Sequence, residues 1–156
     1  MNLGIEFKIP NKYGNHLKQI LTNIDREDYM WNITEDEVYI TDNIKNSDFL
    51  FPQEEKTLSN AEFIDIISQE SYYIVFLNIK LYVKEDNVVI NNYADFVKSS
   101  CILVLLITDN EFVEIYSKDT NILKTIYNNA VENNFCNINY ITEKNFKRKE
   151  ISAYSD

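Results

Sequence analysis

His16 is the only imidazole in the chain, and it bounds the available chemistry at once. Zinc sites built on several histidines, the HExxH metallohydrolase pattern and Cys2His2 ligation all need more than one. A Cys–His nucleophile pair is arithmetically open, because Cys101 and Cys136 are present. A reactive thiol wants an exposed, electropositive setting, however, and both cysteines lie in apolar, strand-like segments. They read as reduced, buried thiols, and His16 reads as an exposed residue on the flank of a helix. Phosphate-cradling loops need glycine so that backbone N–H groups can approach the anion. The only glycines are Gly4 and Gly14, which removes Walker-type and dinucleotide fingerprints and EF-hand calcium loops alike. No cofactor and no metal is expected.

Carboxylates are the abundant chemistry. The chain carries 25 Asp and Glu against 15 Lys and Arg, a formal charge of −10. Between Asp25 and Glu70 lie thirteen acidic and three basic residues, so this segment alone accounts for the −10. Paired-acid glycosidase chemistry would need two acids in one cleft with their pKa values pushed apart, which a run such as Glu35-Asp36-Glu37 does not by itself supply. The field does repel nucleic acid and anionic membrane, and it favours a basic protein partner or plain solubility. Tyr29, Trp31, Tyr39, Phe49 and Phe51 are interleaved with these acids. Trp and Tyr anchor interfaces, and complementary charge speeds association. Strand alternation would as readily turn Trp31 and Tyr39 inwards and leave the acids as a solvated face. The candidate partner-binding residues are Asp28, Trp31, Glu35, Asp36, Glu37 and Asp48; no catalytic or metal-ligating residue is assigned.

The elements that must position these residues are legible from periodicity. Residues 3–9 alternate as an opening strand ended by Pro10, and Leu17, Ile20, Leu21 and Ile24 fall on one helical stripe. Residues 29–34 and 37–41 read as two strands around Glu35-Asp36, a predicted hairpin. Residues 42–52 read as the longest loop. Ser59 and Glu62 form a capping-box signature before a helix bearing Phe63, Ile66 and Ile67. Residues 72–83 and 88–90 read as strands joined by a polar turn, and Asn92 caps a short helix with Tyr93, Phe96 and Val97.

The run 101–107 is apolar on both faces, as a central strand covered on both sides would be. Asp109-Asn110 turns it into a strand over 111–117. Asp119 caps a helix with Ile122, Leu123, Ile126, Tyr127, Ala130 and Val131 on one stripe, and 137–141 closes with a strand. Hairpins between interleaved helices predict an α+β domain with a mixed or mostly antiparallel sheet of about six to seven strands and about four helices. Residues 1–143 form this single domain. Residues 144–156 form a basic, mobile tail, with Lys144, Lys147, Arg148 and Lys149 as solvated charges or an internal counterweight to the acids. The N-terminus lacks the pattern of a signal peptide and the longest apolar run is too short to span a bilayer, so the expected location is the cytoplasm.

The segments Phe96-Val-Lys-Ser-Ser-Cys101-Ile-Leu-Val-Leu-Leu-Ile107, Val113-Glu-Ile-Tyr116-Ser-Lys-Asp119, Tyr127-Asn-Asn-Ala130 and Tyr140-Ile-Thr142, with Gly4-Ile-Glu-Phe-Lys-Ile-Pro10 and Trp31, resemble an uncharacterised family of small acidic proteins from spore-forming Firmicutes. The resemblance implies a bacterial, intracellular, single-domain protein and carries over no catalytic residue. The residues themselves favour a non-enzymatic protein-binding domain, such as an immunity or antitoxin-type protein masking a basic partner. Two alternatives stay open: a small enzyme using carboxylate or Tyr chemistry in a pocket, and a self-associating structural protein. Neither nucleic acid nor membrane is an expected partner.

Overall fold

In the computed structural model, which describes residues 1–40 and 48–153, the alternating segments assemble into one open sheet. Its strands are β1 (Asn2–Lys8), β2 (Met30–Tyr39), β3 (Thr57–Ser59), β4 (Tyr73–Tyr82), β5 (Leu103–Thr108), β6 (Phe112–Ser117) and β7 (Cys136–Thr142). They lie in the order β3-β2-β4-β5-β6-β1-β7, and every neighbouring pair is antiparallel. The helices α1 (His16–Leu21), α2 (Asn60–Ile67), α3 (Tyr93–Lys98) and α4 (Thr120–Glu132) complete the α+β fold that the sequence predicts.

Local chemistry sets the boundaries. Ser59 and Glu62 close a reciprocal capping box on α2, Asn92 accepts from the Asp95 amide, and Asp119 accepts from the Asn121 and Ile122 amides. Asp109 and Asn110 take φ of 49° and 67°, the left-handed pair that a tight β5–β6 hairpin requires. Gly4 allows β1 to approach β6 closely: a Cβ there would stand 2.3 Å from the Ile115 carbonyl oxygen.

The sheet has two unequal faces. Helices α1, α2 and α4 cover one, where Trp31, Phe63, Leu105, Ile115 and Ile126 belong to the main core. Leu103, Val104, Leu105, Leu106 and Ile107 are all buried, which identifies β5 as the strand covered on both sides. The second face is covered by α3 and by the C-terminal segment 143–153, whose Phe146 and Ile151 pack with Phe96, Val104, Leu106, Tyr116 and Ile141. Ile151 is tied down by its amide, which donates to the Asn91 carbonyl at 2.8 Å.

Several expectations are corrected. Glu35-Asp36 is no hairpin turn: β2 runs unbroken past it, pairs along β4, and absorbs an extra residue at Thr34, between the Ile33–Ile79 and Glu35–Asn78 pairs. Residues 88–90 are not a strand, and the short edge strand β3 appears where only a helix start was predicted. His16 is buried, with ring nitrogens 3.2 Å from the Lys12 carbonyl oxygen and 3.1 Å from Gln19 Oε1. Cys136 is exposed, and both thiols are free. Of the predicted loop 42–52, residues 42–47 lie outside the described residues, whereas Leu50 and Phe51 are buried. No described helix is long and apolar enough to cross a membrane.

Candidate functional site

Six residues predicted to share a surface are divided by the fold. Asp28 is exposed and ion-paired with Arg26 at 2.7 Å. Trp31 is fully buried, stacked on Phe63 with ring centroids 4.1 Å apart, so it offers no area to a partner. Asp36 is withdrawn from solvent, its side chain 3% exposed and held by Lys56 at 3.0 Å. Glu37 is half-buried opposite Phe76, and Asp48 is exposed on the segment that hydrogen-bonds the Ile40 amide. Glu35 points to the second sheet face. The extra residue at Thr34 is the reason: without it Glu35 would oppose Leu77 and enter the main core, whereas the shift puts it beside Asn78.

What remains of the acidic segment forms a flank around α2. Asp25, Glu27 and Asp65 line a groove of about 730 Å³, with Ser59, Asn60 and Ile64 beside them. All three carboxylates are exposed, and none makes an ion pair among the described residues. The groove is built from beneath by the buried Trp31, whose indole N–H donates to Asn60 Oδ1 at 3.0 Å. The Asn60 amide nitrogen in turn donates to Asp25. Trp31 therefore positions a carboxylate of the flank.

A second polar region lies across the sheet. Its register sets Asn32, Lys80, Val104, Tyr116, Gly4 and Ile141 in one lateral row, and Glu35, Asn78, Leu106, Glu114 and Glu6 in the next. The apolar middle of both rows lies under the C-terminal segment, which is anchored at each end to a carboxylate. At one end Arg148 Nε donates to Glu114 Oε2 at 2.6 Å while Nη1 donates to the carbonyls of Glu150 and Ser152. At the other, Ser152 Oγ donates to Glu35 Oε1 at 2.9 Å and the Ala153 amide donates to Glu35 Oε2 at 2.8 Å. Charge-assisted bonds of this kind are the strong ones. Among the described residues, the C-terminal segment meets the acidic segment at Glu35, through uncharged donors.

Beside that anchor is a cleft of about 380 Å³, lined by Thr34, Glu35, Asn78 and Lys80 and by Val88, Val89 and Ile151. Lys80 is buried, and desolvation holds its ammonium below the ordinary lysine range, offset in part by the charge of Glu35. Burial pushes the Cys101 thiol up to about 11 and the Tyr82 and Tyr116 hydroxyls above their usual range, so all three stay protonated at neutral pH. Sequence reasoning missed Lys80, Asn78 and Glu114 as site residues. A signal existed for the first two: Asn78 and Lys80 are polar residues two apart inside an otherwise apolar strand, and so share one face.

With this geometry fixed, comparison with known proteins is informative about kinship. The family described as "Protein of unknown function (DUF2691)" matches residues 2–152. The chain is 35% identical over 155 residues to "Uncharacterized protein YncE" of Bacillus subtilis (strain 168), covering 98% of this chain and all of that relative. No solved structure matches the chain.

Proposed function

The chain belongs to the DUF2691 family, and from its own surface we propose that it is a non-enzymatic binding protein that takes a basic protein partner on the flank of α2, as an immunity or antitoxin-type protein would. The observation that carries this reading is the groove of Asp25, Glu27 and Asp65, which has no cation paired to it among the described residues. A concave surface lined by one sign of charge focuses its field and steers an oppositely charged partner inwards. Arg148, one of the C-terminal cations that could serve as an internal counterweight, pairs instead with Glu114 on the opposite face. Ile64 and Ala61 give the groove an apolar wall against which the stem of an inserted Lys or Arg can lie.

The test is affinity capture from the source cell on the full chain and on an Asp25→Asn, Glu27→Gln, Asp65→Asn variant, followed by titration of the captured protein against both. The expected partner is basic, binds the parent chain with steep salt dependence, and loses at least about tenfold in affinity to the variant. Equal affinity for the two chains overturns the reading.

A further inference from the structure

Hydrogen-bond accounting on the second face leaves two opposite charges with capacity to spare. The Lys80 ammonium has three donors and makes two bonds, to Thr34 Oγ1 at 3.0 Å and to Asn78 Oδ1 at 3.2 Å. Both acceptors are neutral, and among the described residues no carboxylate forms an ion pair with Lys80 although the residue is only 6% exposed. A buried cation with neutral partners alone costs stability. Glu35 accepts from Asn78, Ser152 and Ala153, three donors against about four lone-pair sites on an ionised carboxylate. Asn78 stands between the two charges, donating to Glu35 at 2.8 Å while accepting from Lys80. The cleft therefore offers one ammonium N–H and one carboxylate lone pair, set apart by the width of an amide and its two hydrogen bonds.

Part of the remaining lining is apolar, although Asn32, Asn91 and Ser152 also border the cleft. Val88 and Val89 are exposed, Val89 at 73%, and with Ile151 they line the cleft beside its polar groups. A pair of solvent-facing valines beside buried charge suits a ligand with one apolar end and one charged end. A simple carboxylate would satisfy Lys80 and be repelled by Glu35; a simple amine would do the reverse. A molecule carrying both groups across one carbon–carbon bond reproduces the reach of the bridging Asn78 amide.

We propose that this cleft binds a zwitterionic α-amino acid with an aliphatic side chain, its carboxylate on Lys80, its ammonium on Glu35 and its side chain against Val88, Val89 and Ile151. This site is separate from the acidic groove, and its volume of about 380 Å³ is ample for such a molecule.

The experiment is an amide-resolved NMR titration of the full chain with L-leucine and L-valine, beside 4-methylpentanoate and 3-methylbutylamine, which lack the ammonium and the carboxylate of leucine respectively. Saturable shifts are expected at Thr34, Asn78, Val89 and Ser152, with leucine or valine binding at least about tenfold more tightly than either analogue. Lys80→Met is expected to weaken leucine by about tenfold or more while leaving 3-methylbutylamine no weaker. Absence of saturation by both amino acids, equal binding of the analogues, or unchanged binding by Lys80→Met overturns the proposal. Should Lys80→Met fail to fold, the shift map of the parent chain decides, and perturbations confined to another surface overturn it.

Discussion

Asp25, Glu27 and Asp65 on the flank of α2, and Glu35 and Glu114 on the second sheet face, are the same functional group in two electrical situations. The first three face solvent with no basic partner among the described residues. The other two are engaged by the protein: Glu35 accepts from three donors, and Glu114 accepts from Arg148 and the Tyr116 hydroxyl. One region stores charge as an external field, and the other spends it on holding a segment of chain against the sheet. Charge counted along a sequence therefore overstates what a partner can feel, and here the fold decides which carboxylates count. The comparison also separates stability from recognition, so substitutions in the two regions should fail in different ways.

The largest effect belongs to the residue beneath the flank. Trp31→Ala removes a fully buried indole that stacks on Phe63 and orients Asn60, and it should cost about 3–5 kcal/mol in denaturant unfolding followed by far-UV circular dichroism. A loss under about 1 kcal/mol would mean that the flank does not rest on this core residue. The second face is probed next by pH. The folded state keeps the Cys101 proton up to about pH 11, whereas an ordinary thiol loses it near 9.0. The folded chain thus holds more protons across that window, so stability is fully present below pH 9.0 and falls as pH rises towards 11. About 2–3 kcal/mol is at stake, and Cys101→Ala should flatten this part of the urea-midpoint profile. The raised hydroxyls of Tyr72, Tyr82 and Tyr116 act in the same direction from higher pH, so an identical slope in the variant would assign the whole loss to them.

The fate of Glu35 shows both how much was legible and where legibility stopped. Propensity and capping chemistry are local, and they carried the helices: Ser59 with Glu62, Asn92 and Asp119 all cap where the sequence places them. Alternation carried the strands, with the doubly apolar β5 at the centre of the sheet. A bulge is different, because it is defined by the partner strand. Nothing within Ile33-Thr34-Glu35 announces that Thr34 is extra; β4 must be paired with β2 before the shift exists. The same holds for the C-terminal segment, whose cations read as a solvated tail until Glu114 is brought across from β6. The site on the second face was therefore hidden in register, while the acidic flank was visible in composition but not in its true membership.

Glu35→Ala tests the anchored half directly. It strips three donors of a charged acceptor, removes the charge of Glu35 from beside the Lys80 ammonium, and should cost about 2 kcal/mol. The signature is local: amide exchange should accelerate at Ile151 and Ala153 well beyond what the global loss explains. Asp36→Asn is the matched control one residue away. Its ion pair with the half-exposed Lys56 is worth about 1 kcal/mol or less, and it should leave exchange in the C-terminal segment unchanged. Equal exchange effects from both substitutions would dissolve the distinction between the two sides of β2.

The smallest stability effect is expected where the proposed function is greatest. Asp25→Asn, Glu27→Gln and Asp65→Asn together remove three exposed charges that make no ion pair among the described residues, so each should shift stability by no more than about 0.5 kcal/mol. The sign is informative. In a chain of net charge −10, neutralising unpaired carboxylates relieves self-repulsion, so the combined change should be neutral or stabilising at low salt and should fade as salt rises. Asp25 carries a counter-term because it accepts from Asn60, and Asn at that position retains an acceptor oxygen for the same bond. Urea midpoints at low and high salt separate the two contributions. A clear destabilisation independent of salt would make these carboxylates structural, like Glu35 and Glu114, and would leave the flank without a surplus field to offer a basic partner.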